Sequence, residues 1–303
     1  MSTREPMRRL VEMPPGVSAT TITTERTSHA VLVAEAEGAR GVVVLVPGWT
    51  GSKEDFAAIL PLLAARGFRA VAIDQRGQHE SPGIDDASAY TLDALAADLV
   101  SLTQSVVRRD VPVHVVGHSF GGLVTRAAVR AAVADGLDVF ASMTLMCSGP
   151  GGVPPADREL LTSLADSVLE DGLATSWERL LAHEREAGVP RQSPEIEAFL
   201  QRRFRANHPV SLEQISRVLA SAVDDIDATS DALAKADIPV LVVYGADDNR
   251  WPVAEQEAMA HRLGVGAVVV DGAAHSPAVE RPDVTAGVLA DFCAAVSSTS
   301  PPG

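Results

Sequence analysis

Basic residues are scarce in this chain. The 25 Lys and Arg stand against 40 Asp and Glu, a formal net charge of −15. That deficit excludes a nucleic-acid partner, because phosphate binding needs a basic surface. It equally disfavours adsorption to anionic lipid, while an acidic surface serves to keep a soluble protein dispersed. Cysteine is scarce too. The two present, Cys147 and Cys293, lie in apolar patterns and read as buried free thiols rather than a disulfide. With no CxxC and no Cys/His cluster, no metal site is expected. No apolar run is long enough to span a membrane. Met1–Leu10 is polar and lacks the apolar stretch of a secretory signal, so a cytoplasmic location is the default expectation. What remains is a chain of 303 residues, 46% of them apolar, long enough for one large core or two smaller ones.

Short Val/Ile/Leu runs alternate with longer helical patterns. Strands are predicted at Val42–Val46, Phe68–Ile73, Val113–Val116 and Val139–Met146, with helices at Ala57–Ala65, Leu92–Val107 and Leu123–Ala134. Nearly continuous apolar strands separated by amphipathic helices indicate a parallel sheet covered on both faces. Ahead of them, the Thr- and Val-rich segment Ser18–Glu37 predicts an antiparallel edge hairpin. After Met146 the pattern breaks at a Gly/Pro-rich turn (CSGPGGVPP, 147–155), and no strand is predicted between Asp157 and about Ala234. Helical patterns there cover Arg158–Leu169, Leu173–Glu186, Pro194–Ala206 and Leu212–Val223, set apart by Pro190, Pro194 and Pro209. Alternation resumes with strand Ile238–Tyr244, helix Glu255–Leu263, strand Ala267–Val270 and helix Asp283–Ala295. The expected organisation is an α/β core of residues 1–150 and 235–296, an all-helical lid of 151–234 inserted into it, and a disordered tail of 297–303.

The most informative stretch is Val113–Gly122 (VHVVGHSFGG). A strand ends in Gly-His-Ser-Phe-Gly and a helix follows at once. A serine on such a turn is lifted out of the sheet, with glycines on both sides to let neighbouring backbone approach. The turn also aims N–H groups at the helix start toward whatever the serine attacks. Acyl transfer by Ser119 needs a base, an orienting acid and an oxyanion hole. His275, in a small-residue loop just past a strand, is the candidate base. Asp247 and Asp248 both follow a strand and both could orient it, although either could instead close an Asx turn. The oxyanion donors expected by position are the N–H of Phe120 and that of Trp49, in the loop Val46–Ser52, which would leave the Trp49 indole free to line the pocket.

These residues together resemble the α/β-hydrolase superfamily, over about residues 30–296, in the chain order Ser…Asp…His that the family uses. DQRGQHES (74–81) is similar to its Asp-x-Arg-Gly-x-Gly-x-Ser loop, GADDNRWP (245–252) to its acid loop, and GAAH (272–275) with ERP (280–282) to its histidine loop. The resemblance selects Asp248 over Asp247. It implies the α/β-hydrolase fold, a mostly parallel doubly wound sheet with an inserted all-helical cap. Two departures stand out. The usual His-Gly of the oxyanion loop is Pro47-Gly48, which loses a side-chain hydrogen bond but leaves the Trp49 N–H untouched. His79 replaces a glycine, with strain if that position requires positive φ, and is a rival base. His118, at the variable position of the serine motif, reads as a packing residue. Among the large apolar lid residues are Trp177, Leu180, Leu181, Phe199 and Phe204.

The function so implied is that of a serine hydrolase of carboxylic esters or thioesters, of small to medium acyl size, with Ser119, Asp248 and His275 as the triad and no cofactor. The same triad also runs perhydrolysis, C–C or amide hydrolysis and acyl transfer. A ligand-binding module without turnover is the rival outside enzymes. Dehalogenase and epoxide-hydrolase chemistry normally uses aspartate as nucleophile in this superfamily, and position 119 is serine.

Overall fold

In the computed structural model of the protein, the structure describes residues 6–106, 111–186, 188–189 and 191–299. Val107 and Pro190, used above as a helix end and a separator, lie outside them. Among the described residues, eight strands form one sheet in the order β1-β2-β4-β3-β5-β6-β7-β8. They are β1 Val17–Thr23, β2 Ser28–Ala34, β3 Val42–Val46, β4 Arg69–Ile73, β5 Val113–His118, β6 Ser142–Met146, β7 Val240–Gly245 and β8 Ala267–Val270. From β4 through β8 every pairing is parallel; β1 and β2 join antiparallel at one edge, as the hairpin pattern predicted. Every residue of β3, β5 and β6 is buried, which is why these strands read as nearly continuous apolar runs. The Thr-rich β1 is largely exposed and closes the edge.

The helices are α1 Leu60–Ala65, α2 Leu92–Val106, α3 Phe120–Ala134, α4 Pro155–Glu186, α5 Pro194–Arg205, α6 Pro209–Ser221, α7 Ile226–Ala236, α8 Val253–Arg262, α9 Pro277–Glu280 and α10 Pro282–Thr299. Helix α10 extends three residues beyond the predicted core boundary at 296, so 297–299 are helical; 300–303 lie outside the described residues. The chain runs from β3 out to β4 and then back across to β5, so the strand order reverses between β3 and β5. In an open α/β sheet, ligands collect at the carboxyl ends of the strands beside such a reversal. The loops after β3 and β5 therefore meet there.

Helices α4–α7 are inserted between β6 and β7, as expected. Gly172, at φ 76° and ψ 165°, breaks α4 into the two helices the sequence indicated. Val168, Trp177, Leu180, Phe204 and Leu212 form a small core of the insertion's own. Helix α7 was not foreseen. It buries Ile226 and Leu233 in the main core and packs on α3. No helix among the described residues is long and apolar enough to cross a membrane.

One buried guanidinium holds both roots of the insertion. Arg126 of α3 donates to the carbonyls of Gly149 at 2.8 Å and Pro150 at 3.0 Å, where the chain leaves β6. Its Nε lies 3.0 Å from Asp225, where the chain returns. Burial disfavours the charge of Arg126, and Asp225 opposes that effect. Removing one partner of such a group strands the others without water. Arg126→Ala is expected to lower the unfolding free energy by about 3 kcal/mol, measured as a shift of the urea midpoint at unchanged m; a loss under about 1 kcal/mol would remove Arg126 from this role.

Candidate active site

Ser119 lies between β5 and α3 with φ 55° and ψ −121°, a conformation that costs a non-glycine residue roughly 1–3 kcal/mol. Close packing enforces it. A Cβ on Gly117 would stand 2.4 Å from the Gly121 carbonyl oxygen, and one on Gly121 would stand 2.4 Å from that of Val46. Only glycine lets α3 start this close to β3 and β5. The Ser119 N–H donates to Met146 O at 2.9 Å, and its carbonyl accepts from the Ser148 hydroxyl at 2.9 Å. Phe120 is the first residue of α3, so its N–H has no acceptor within the helix.

The loop after β3 folds over the serine. Gly51 N–H donates to Gly48 O at 3.1 Å, closing a tight turn with Thr50 at φ 55°. Behind this turn, Gln75 Nε2 donates to Pro47 O and Gln78 Nε2 to Gly48 O, each at 3.0 Å. The Trp49 indole is not free, contrary to the sequence reading. Its Nε1 donates to Ser216 Oγ of α6 at 2.9 Å, tying this loop to the insertion, although the residue still lines the cavity.

His275, after β8, donates from Nδ1 to Asp248 Oδ1 at 2.9 Å, which leaves Nε2 as the acceptor nitrogen. Asp248 is the aspartate brought to the histidine; Asp247 is exposed and uses its N–H on Ala273 O. Burial disfavours the charged Asp248. The bonds from His275, the Arg250 N–H at 2.9 Å and Gln256 Nε2 at 2.9 Å outweigh it and hold the carboxyl well below the usual carboxylate range. Gln256 carried no sequence signal, since a single partner on α8 makes no motif. The loop backbone is pinned as well. Glu280 accepts from the N–H of Ala274 at 2.7 Å, and His118 Nε2 donates to the His275 carbonyl at 2.6 Å. Burial, and then the charge of His275, bring the His118 pKa down to about 4, so it stands neutral as a donor.

Ser119, His275, Gly48, Trp49 and His118 line one cavity of about 240 Å³, roofed by the insertion. Of the lid residues named from the sequence, Leu180 faces it, together with Leu160, Leu161 and Leu219 of the insertion. Trp177 and Phe204 pack within the insertion with ring centroids 5.4 Å apart, and Phe199 packs on Leu10 and Val279. Met7 and Leu10 complete the wall from a 3-10 turn, Pro6–Leu10, which the sequence reading had not placed. His79 does have positive φ, 45°, but its ring lies against Glu54 and Phe199, outside the cavity lining, so the rival base is not assembled.

Among the described residues, two groups of side chains have ligand atoms within metal-binding range, and both are otherwise engaged. His118, Cys147 and His275 come within 4.8 Å of one another, yet the histidines hold a carbonyl and Asp248, and burial pushes the Cys147 thiol well up. Glu54 and Glu80 of the second group both pair with the Lys53 ammonium.

A strained serine on a strand–helix turn, a carboxylate–histidine pair and a backbone loop meet at one cavity on a doubly wound sheet. A family model described as the alpha/beta hydrolase family matches residues 43–288, and the chain belongs to that family. It is 29% identical over 261 residues to a non-heme chloroperoxidase of Streptomyces lividans, covering 81% of this chain and 91% of that protein. It is 27% identical over 256 residues to a pimeloyl-[acyl-carrier protein] methyl ester esterase of Neisseria meningitidis, covering 82% and 92%. A thermophilic esterase from Thermogutta terrifontis superposes with a TM-score of 0.71 at 25% identity, over 92% of this chain and 99% of that one.

The tightness of the turn is testable. A Cβ on Gly48 would come 2.9 Å from Ser119 Cβ and 3.3 Å from its Oγ. Gly48→Ala is expected to slow labelling of Ser119 by a fluorophosphonate at least about tenfold while the protein stays folded, because small misplacements at a reacting centre cost rate; unchanged labelling would mean the loop is not held against the serine.

Proposed function

We propose that this protein hydrolyses carboxylic esters or thioesters of small to medium acyl compounds through an acyl-enzyme on Ser119. The observation that carries the reading is the 2.9 Å hydrogen bond between His275 and an ionised, buried Asp248, in the cavity that Ser119 lines. Ser119 Oγ attacks the carbonyl carbon as His275 Nε2 takes its proton. Asp248 fixes the histidine tautomer and stabilises the imidazolium. The N–H groups of Trp49 and Phe120 receive the oxyanion, each such donor being typically worth about 3 kcal/mol in the transition state. The imidazolium then protonates the departing alcohol or thiol. Water, activated by the same nitrogen, releases the acid and restores Ser119. No metal or cofactor takes part in these steps.

The domain reading follows. Residues 1–150 and 235–296 act as the hydrolase core, with α7 packed on it, and α4–α6 act as a cap whose residues shape the acyl and alcohol pockets. Two buried free thiols suit a reducing, cytoplasmic setting. The esterase names among the relatives favour an ester substrate, and a small-molecule ester or thioester is the partner proposed.

The chloroperoxidase and haloperoxidase names favour one second reading, perhydrolysis. Hydrogen peroxide then takes the place of water, attacks the acyl-enzyme, and leaves as the peracid while Ser119 recovers its proton through His275. An epoxide hydrolase relative aligns over 32% of the chain; the serine at 119 disfavours that chemistry here.

Hydrolysis of p-nitrophenyl acyl esters by the wild type and by Ser119→Ala tests the proposal. A loss of at least about a thousandfold in kcat is expected for the variant. Equal rates would sink the assignment. Added peroxide should yield peracid from the same acyl-enzyme only if the second reading holds.

A further inference from the structure

We infer that Gln78, seconded by Gln75, is a positioning residue that sets the orientation of the oxyanion loop. The inference rests on the serine-hydrolase reading above. Both glutamines come from the loop after β4, and both are almost fully buried. Gln78 Nε2 donates to Gly48 O and Gln75 Nε2 to Pro47 O, each at 3.0 Å. Two consecutive peptide planes of the loop are thereby fixed from behind.

The consequence follows from peptide geometry. The Gly48–Trp49 peptide is trans, so its N–H points opposite to its C=O. A donor that holds the Gly48 carbonyl on the Gln78 side turns the Trp49 N–H to the other side. Gly48 and Trp49 line the cavity and Gln78 does not, so that other side is the one occupied by substrate. The turn bond from Gly51 N–H, at 3.1 Å, occupies one lone pair of the same oxygen and leaves the second to Gln78. Gln78 Oε1 has no partner among the described residues, so it is the donation to Gly48 that orients the amide. Reversing the amide would set two oxygens against each other. Without the donor, rotation of the peptide would put a carbonyl oxygen where the oxyanion forms.

The test compares Gln78→Met with Gln78→His. Methionine keeps an unbranched buried chain and loses the donor. Histidine Nε2 lies as many bonds from Cβ as the glutamine nitrogen and restores a donor. In Gln78→Met, kcat on a p-nitrophenyl ester is expected to fall by about ten- to a hundredfold with KM within about twofold, because an oxyanion interaction is realised in the transition state rather than on binding. Gln78→His should recover most of that loss, a response that mere packing would not give. Should Gln78→Met fail to fold, Gln75→Met carries the same test with a smaller fall in kcat. If the wild type turns over esters and Gln78→Met matches it, or if KM changes as much as kcat, or if histidine does not rescue, this inference is overturned alone. If the wild type turns over no ester, it falls together with the hydrolase reading.

Discussion

The site depends on one steric constraint: the approach of α3 to the ends of β3 and β5. Gly117 and Gly121 leave no room for a Cβ, and Ser119 is forced to φ 55° between them. That strain places the side chain beyond the sheet and leaves the Phe120 N–H without a helical acceptor. It also brings the Val46–Ser52 loop against the serine, because Gly121 packs on the Val46 carbonyl. On the proposed reading, a nucleophile held in this way is positioned before substrate arrives, so its geometry costs nothing at the moment of reaction.

The remaining parts are held to that point by buried polar contacts. Asp248 uses three donors to stay ionised beneath His275. Glu280 and His118 pin the histidine loop from two sides. The insertion is joined to the core at its roots through Arg126 and above the site through Trp49 and Ser216. A third contact, the Arg203–Asp55 ion pair at 2.5 Å, ties α5 to the segment after the oxyanion loop, and both residues line the cavity. The walls that would choose a substrate and the backbone that would stabilise its transition state are therefore mechanically connected.

Much of the fold was legible because parallel strands buried on both faces are written as Val-rich runs, and the serine, acid and histidine each follow such a run. The start of α3 was read three residues late. Gly121 and Gly122 look like a turn, yet they lie inside the helix because only glycine fits against Val46 and Ser148. Helix α7 went unseen because the polar stretch around Asp224–Asp231 hides three buried positions, Ile226, Thr229 and Leu233. Asp247 and Asp248 are equivalent by residue type, and only the backbone of the turn decides which one is buried. Gln75, Gln78 and Gln256 act through single long-range hydrogen bonds, which leave no periodicity or spacing in a sequence. Met7 and Leu10 reach the cavity only because the chain folds back across α9, a long-range contact that no local pattern encodes.

The central claim is covalent catalysis by Ser119, and rapid-quench mass spectrometry during turnover of a slowly deacylating ester tests it most directly. An adduct of the acyl mass is expected on the peptide containing Ser119, forming and decaying at rates that account for turnover. Turnover without an adduct, or an adduct on another residue, would contradict the account.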